Sequence, residues 1–316
     1  LPDGDDEEIT SPLDELAAKW QVKPGDVWEM GPHRMMCGDS MDGESVGRLM
    51  RGEKIPLVVT SPPYKNNRDY ELGSFDWDAV VPAVIITAAA QLANDGSLLV
   101  NLGVIHQDRR VNEYWRSLVN GMESAGWPWF GWYVWDKGKP LPGDWSGRLA
   151  PDFEFVLHFS QHSRLPHKLV KCVTPTSRAK PKTTMRRKNG KVGRTASPHK
   201  TGQSHRIPSA TIHSYPETGR GGTFLHPAPY SVAFARQLIE PYSNPGEPIY
   251  DPFLGSGTTI VAAAELQRLG RGMEIEPKYC AIVLERMKNL GYEPKRVCLT
   301  TPTALTPPPN ASAAWS

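Results

Sequence analysis

Thr60-Ser61-Pro62-Pro63-Tyr64 places two oxygen acceptors and an aromatic ring directly after the apolar run Ile55 to Val59. That combination suits a planar amine attached to a ring, such as the exocyclic amine of cytosine or adenine. The nitrogen of such an amine is a poor nucleophile, because its lone pair is delocalised into the ring. Two acceptors that take both N–H hydrogens push the nitrogen toward a tetrahedral geometry and localise the pair. Ser61 Oγ and the Pro62 carbonyl are the expected acceptors. The consecutive prolines Pro62 and Pro63 stiffen the loop, so the acceptors are in place before a ligand arrives. Tyr64 offers a flat face for stacking, worth roughly 1–3 kcal/mol per base. This chemistry needs no covalent intermediate and no nucleophilic thiol.

The second group is Asp251-Pro252-Phe253-Leu254-Gly255-Ser256-Gly257-Thr258-Thr259, which follows Pro248-Ile249-Tyr250. It reads as a strand that turns into a helix. Ligands of open α/β sheets bind at that edge, where Gly255 and Gly257 let the backbone approach closely. Thr258 or Ser256 is a candidate cap for the new helix. No Lys follows the second glycine, so a nucleotide-phosphate loop is disfavoured. Gly272-Met273-Glu274-Ile275-Glu276 ends the next strand, where a carboxylate can accept both hydroxyls of a ribose. Glu274 is nearest the strand end, with Glu276 in reserve.

The elements that must carry these groups follow from periodicity. Strands are expected at His33–Cys37, Ile55–Thr60, Ser97–Leu102, Phe153–Phe159, Pro248–Phe253 and Gly272–Ile275. Helices are expected at Pro12–Trp20, Asp78–Asn94, Arg109–Ala125, Pro229–Pro241, Thr258–Leu269 and Pro277–Asn289, with Gly270 as a left-handed cap. The tryptophans at 127, 129, 132 and 135 read as core and sheet edge. Strands that alternate with helices imply a mostly parallel, doubly wound α/β sheet.

The net charge of +2 hides an asymmetry. Residues 161–222 hold fourteen Lys and Arg against the single acid Glu217, which is +13 and leaves −11 for the remainder. That block interrupts the α/β pattern and reads as an insert with an electrostatic footprint for a polyanion. A solvated basic loop is the plainer alternative. The expected divisions are an acidic arm (1–25), a catalytic half (26–160), the basic insert (161–222), a cofactor half (223–299) and a disordered tail (300–316). No run approaches the roughly 18–20 apolar residues needed to cross a bilayer. The four cysteines lack CxxC spacing and no His cluster completes a zinc site, so reduced thiols and no metal are expected.

In motif order the chain resembles the amino-type DNA methyltransferases of the β group, in which the catalytic tetrapeptide precedes the cofactor motif. The resemblance covers roughly residues 26–160 and 223–296. It implies a Rossmann-like methyltransferase fold with one antiparallel strand, and S-adenosylmethionine as cofactor. It casts Ser61, Pro62, Pro63 and Tyr64 as the catalytic group and Asp39 as acceptor for the cofactor adenine. His226, ahead of the Pro229–Pro241 helix, closes over the methionine end. Asp251, Phe253, Gly255, Gly257 and Thr258 form the cofactor bend, with Glu274 or Glu276 on the ribose. By position and charge the insert becomes the target reader, with Arg178, Lys180, Lys182, Arg186, Arg187, Lys188, Lys191 and Arg194 on DNA. A serine at the first tetrapeptide position favours the N4 of cytosine over the N6 of adenine, and the target base must be flipped from the duplex. A cytoplasmic protein of bacteria or phage acting on DNA is implied, with a homodimer left open. Two alternatives remain: methylation of another planar amide or amine, for which Asn is usual at the first position, and an inactive DNA-binding subunit.

Overall fold

Ile55 to Thr60 is buried at every position, and its apolar side chains divide between two cores. Ile55 and Val58 pack on one side of the sheet, Leu57 and Val59 on the other. A strand covered on both faces reads as a continuous apolar run for this reason. The computed structural model describes residues 11–64, 76–140, 147–172, 184–186, 192–194, 204–216 and 230–297. In chain order the elements are α1 (Pro12–Trp20), β1 (Val27–Met30), β2 (His33–Cys37), α2 (Gly43–Met50), β3 (Ile55–Thr60), α3 (Trp77–Ala89), β4 (Leu92–Leu102), β5 (Ile105–Gln107), β6 (Arg110–Asn112), α4 (Arg116–Ser124), β7 (Trp129–Asp136) and β8 (Phe153–Phe159). There follow β9 (Val170–Lys171), β10 (Thr184–Arg186), β11 (Val192–Arg194), β12 (His205–Arg206), β13 (Thr211–His213), α5 (Val232–Ile239), a 3-10 turn (Glu240–Tyr242), β14 (Pro248–Asp251), α6 (Thr258–Glu265), β15 (Leu269–Glu274), α7 (Pro277–Asn289) and β16 (Pro294–Val297).

One ten-stranded sheet runs β13-β7-β8-β4-β3-β14-β15-β2-β1-β16. β3, β4, β14, β15 and β2 pair in parallel, so their carboxyl ends share one edge. The expected reversed strand is β8, antiparallel to both β4 and β7. A second reversed strand, β1, adds outside β2 and pairs with β16. Because β8 is reversed and β7 runs back again, the start of β8 and the end of β7 arrive at the same edge as the end of β4. Helices α2, α3 and α4 cover one face through Leu49, Ile85 and Leu118; α5 and α6 cover the other through Phe234, Leu238 and Ala262.

Four local expectations are corrected. The helix expected over 78–94 ends at Ala89, and Leu92 already belongs to β4, whose strand pairs Ile55 with Leu92. The helix expected from Arg109 starts at Arg116, because Asp108 (φ 50°) and Arg109 (φ 63°) turn a short β5–β6 hairpin instead. The helix expected to reach Leu269 stops at Glu265, and the left-handed residue is Gln267 (φ 61°), not Gly270. Gly270 lies inside β15, where a Cβ would sit 3.0 Å from Ile260 and 3.2 Å from His33 Nδ1. Neither Thr258 nor Ser256 caps α6; the cap position is Gly257, with no side-chain cap. Residues 300–316, and with them the expected tail, lie outside the described residues.

The basic segment is tied to the core near both its ends. Arg164 is held by Asp95 at 3.1 Å and Glu247 at 2.9 Å, and β13 joins the main sheet beside β7. Between these anchors β10 and β11 form a separate antiparallel pair.

Gly257 combines a φ of 84° with Val283 Cγ1 only 2.9 Å from where a Cβ would stand. Gly257→Ala is therefore expected to lower stability by about 2–3 kcal/mol, the left-handed penalty plus overpacking. Urea denaturation measures it. A loss below about 1 kcal/mol would mean that Val283 and the bend yield together.

Candidate active site

The two chemical groups meet at a buried carboxylate. β3 and β14 are neighbours, and Thr60 Oγ1, the last group of β3, donates to Asp251 Oδ1 at 2.6 Å. The Asp251 oxygens also accept from Phe253 N at 3.0 Å, Thr259 Oγ1 at 2.5 Å and Tyr230 OH at 3.2 Å. Asp251 is fully buried, and burial raises its pKa while these donors oppose the rise. With its carboxylate engaged inside the protein, Asp251 serves a ligand by fixing the bend and the start of the Ser61 loop together.

Glu274 closes the bend from the next strand. Its Oε2 accepts from Gly255 N at 2.7 Å and its Oε1 from Glu276 N at 3.0 Å. Burial pushes its pKa from 4.5 up to about 7, against those two backbone donors. Glu276 instead caps α7, accepting from Lys278 N at 3.3 Å. Of the two acids proposed for a ribose, Glu274 is therefore the one lying across the bend. On the far side, Gly38 N donates to the Glu274 carbonyl at 2.9 Å, which brings the exposed Asp39 to the same edge. Asp39 Oδ1 accepts from Met41 N at 2.8 Å. Ser40, which the sequence reading missed, donates from Oγ to the Pro252 carbonyl at 2.6 Å and pins this turn to the bend. Phe253 is half-buried against the core on the α2, α3 and α4 side of the sheet. Arg286 Nη1 gathers the Ser256 carbonyl (2.9 Å), Ser256 Oγ (3.2 Å) and Thr258 Oγ1 (3.3 Å), so these hydroxyls brace the bend instead of capping α6. The uncapped start of α6 presents backbone N–H groups at the ligand edge. His226 lies outside the described residues.

At the serine loop the decisive neighbour is Asn101, another residue absent from the sequence reading. Ser61 Oγ donates to Asn101 Oδ1 at 3.2 Å, and Asn101 Nδ2 donates to the Phe155 carbonyl at 3.3 Å. The Ser61 proton is thus committed, which leaves the Oγ lone pairs to accept. Trp77, fully buried at the start of α3, donates from Nε1 to the Pro63 carbonyl at 2.7 Å and holds the loop from below. The Tyr64 hydroxyl donates to Glu154 Oε2 at 2.7 Å. Burial first, and then the Glu154 charge, push the Tyr64 hydroxyl well above its ordinary range. The signal for Asn101 was present in the sequence: it is a polar residue near the carboxyl end of an otherwise apolar strand.

The proposed DNA contacts are only partly in view. Arg186 and Arg194 lie on β10 and β11, while Arg178, Lys180, Lys182, Arg187, Lys188 and Lys191 fall outside the described residues. Among the described residues, no group of three His, Cys, Asp or Glu could hold a metal, and no helix is long and apolar enough to cross a membrane.

The family model described as DNA methylase, of the N6/N4 type, matches residues 55–285, which takes in the serine loop, the carboxylate and the bend. The chain belongs to this DNA methylase family. Among curated relatives, the type II methyltransferase M.SmaI of Serratia marcescens is 26% identical over 283 residues, 78% of this chain and 88% of that protein. The orphan methyltransferase M.BamHII of Bacillus amyloliquefaciens is 46% identical over 74 residues, 23% of this chain and 28% of that one. Among solved structures, PvuII DNA methyltransferase (cytosine-N4-specific) superposes with a TM-score of 0.56 at 20% identity, covering 83% of this chain and 92% of that one. The M1.HpyAVI–SAM complex gives 0.50 at 18%, covering 80% and 98%. At these identities the structures establish a shared methyltransferase fold.

If Glu274 takes the ribose hydroxyls, as the resemblance implies, its protonation bears on cofactor binding. Ribose hydroxyls donate to a carboxylate, so the ionised form binds and the protonated form does not. With a pKa of about 7, affinity for S-adenosylhomocysteine is expected to rise roughly tenfold from about pH 6 to about pH 8. Glu274→Gln is expected to bind weakly and flatten the profile in calorimetric titrations. A slope that persists in the variant would assign the titration to another group.

Proposed function

We propose that this DNA methylase transfers a methyl group to the exocyclic N4 of cytosine in DNA, on a base rotated out of the helix. The methyl donor is S-adenosylmethionine, which supplies an electrophilic methyl on a sulfonium. The observation that carries the reading is the Thr60–Asp251 hydrogen bond of 2.6 Å, which makes the amine acceptors and the glycine bend parts of one rigid edge. The donor set at the bend fits the cofactor: a buried carboxylate across the bend, an exposed Asp39 on the adjacent turn and an uncapped helix start. In this assignment Glu274 takes the ribose hydroxyls, Asp39 takes the adenine amine, and His226 belongs to the segment over the methionine end.

The protein's own part in the reaction is placement. Ser61 Oγ and the Pro62 carbonyl each accept one hydrogen of the target amine, and its lone pair is directed toward the bend. Tyr64 stacks on the base. Holding the nitrogen in line with the methyl makes an intermolecular step effectively unimolecular, the main source of rate in such a site. The methyl's bond to sulfur is the one that breaks as the nitrogen–carbon bond forms, and one of the two amine hydrogens passes to solvent as a proton. Two features support cytosine: Ser61 is a neutral first residue of the tetrapeptide, and one similar structure is named cytosine-N4-specific. N6 of adenine is the second reading, since the family covers both amines. The basic segment, with Arg186 and Arg194 on the β10–β11 pair, is assigned to DNA.

Ser61→Ala is expected to cut turnover by about a hundredfold or more, with S-adenosylhomocysteine affinity within about twofold of the parent. Wild-type turnover in this variant would remove the acceptor role. Nucleoside mass spectrometry of treated DNA is expected to show N4-methylcytosine; N6-methyladenine would move the reading to adenine, and no methylated nucleoside would end it. For binding, the dependence of log K on log salt should flatten by about one unit for each phosphate-neutralising side chain replaced among the basic residues at 178–194. An unchanged slope would place the DNA surface elsewhere.

A further inference from the structure

The Tyr64 hydroxyl enters a second charged group that the transfer chemistry does not use. Glu154 Oε2 accepts from Tyr64 OH at 2.7 Å, and Glu154 Oε1 accepts from Lys137 Nζ. Both charged side chains are largely buried, with 12% of Glu154 and 13% of Lys137 exposed. The Lys137 ammonium also lies 5.1 Å from the centre of the Trp135 ring. A largely buried carboxylate that lost its partner would be strongly destabilising, so this pair is a fixed unit and not a wandering surface bridge.

Topology explains how these residues meet. Tyr64 follows β3, Glu154 opens the reversed strand β8, and Lys137 follows β7, with Trp135 opposite Glu154 in the ladder. All three arrive at the carboxyl edge of the central strands. There the Tyr64 ring rests on Gly103, just past the end of β4: a Cβ at Gly103 would stand 2.8 Å from Tyr64 Cε2. The ring is held against bare backbone and pinned at its hydroxyl. Asn101 Oδ1 lies farther from that hydroxyl, at 3.4 Å, and receives Ser61 at 3.2 Å. A hydroxyl has one proton to give. With the Tyr64 proton given to Glu154 at 2.7 Å, Ser61 is the nearer donor to Asn101 Oδ1.

We propose that Glu154, held by Lys137, is a positioning residue for methyl transfer: it fixes the Tyr64 ring as a stacking plane beside Ser61. This rests on the proposed function and deepens it. The role predicts a loss in kcat without a matching loss in binding, because both ligands still find their contacts while the nitrogen is less well aimed.

The test compares Tyr64→Phe, the paired change Glu154→Leu with Lys137→Met, and the combination of all three. Removing both charges together avoids a lone buried ion. Each of the first two proteins is expected to show kcat about tenfold lower, with KM for DNA and affinity for S-adenosylhomocysteine within about twofold of wild type. The triple variant should be no slower than the worse of the two, since one interaction has been removed twice. Multiplying losses, or a loss confined to KM, overturns the role. A readout on the ring itself uses protein labelled with 3-fluorotyrosine, the Tyr64 resonance being the one missing in Tyr64→Phe. That resonance is expected to shift in Glu154→Gln, and an unmoved resonance overturns the proposal even if the paired variant does not fold. Wild-type protein that labels no DNA would overturn the function and this catalytic role together. Labelled DNA with multiplying losses would overturn the role alone.

Discussion

A carboxylate sealed from water, Asp251, is the constraint on which the site depends. Burying a charge of this kind is unfavourable by several kcal/mol unless hydrogen bonds replace the lost solvent. Here the replacements come from three separate stretches of chain: Thr60 on β3, Thr259 on α6, and Tyr230 ahead of α5, with Phe253 N from its own turn. Each donor is held to the carboxylate because leaving it would strand a charge. The serine loop, the glycine bend and the segment before α5 are thereby locked in one relative position. A DNA methylase needs that lock, since its rate comes from the aim of one nitrogen at one carbon.

The parts of the site legible in the sequence are those in which function and neighbour lie within a few residues. Ser61 to Tyr64 and Asp251 to Thr259 announce themselves by local chemistry, and both occur where the reading placed them, at strand ends on one edge. Asn101 and Glu154 did not, because their meaning depends on which strands become neighbours and in which direction. Glu154 reaches the edge only because β8 runs backwards, and no local pattern carries that fact. Asn101 was the exception that could have been caught: a lone amide in Leu98-Leu99-Val100-Asn101-Leu102 requires a partner.

Element boundaries failed for similar reasons. Leu92 to Asn94 continue an alanine-rich helical pattern, yet pairing of Leu92 with Ile55 draws them into the sheet. Asp108 and Arg109 adopt left-handed conformations that any sequence reading assigns first to glycine or asparagine. Gly270 looked like a cap because it follows a helical pattern, while its real constraint is the His33 and Ile260 side chains packed against β15. For Leu92 and Gly270 a neighbour distant in sequence overrode a local preference.

The two anchors of the basic segment have a consequence for how such a protein diversifies. Arg164 seats its beginning on Asp95 and Glu247, and β13 seats its end on β7. On the proposed assignment of this segment to DNA, substitutions between its two ends would change what is read while the sealed carboxylate keeps its donors.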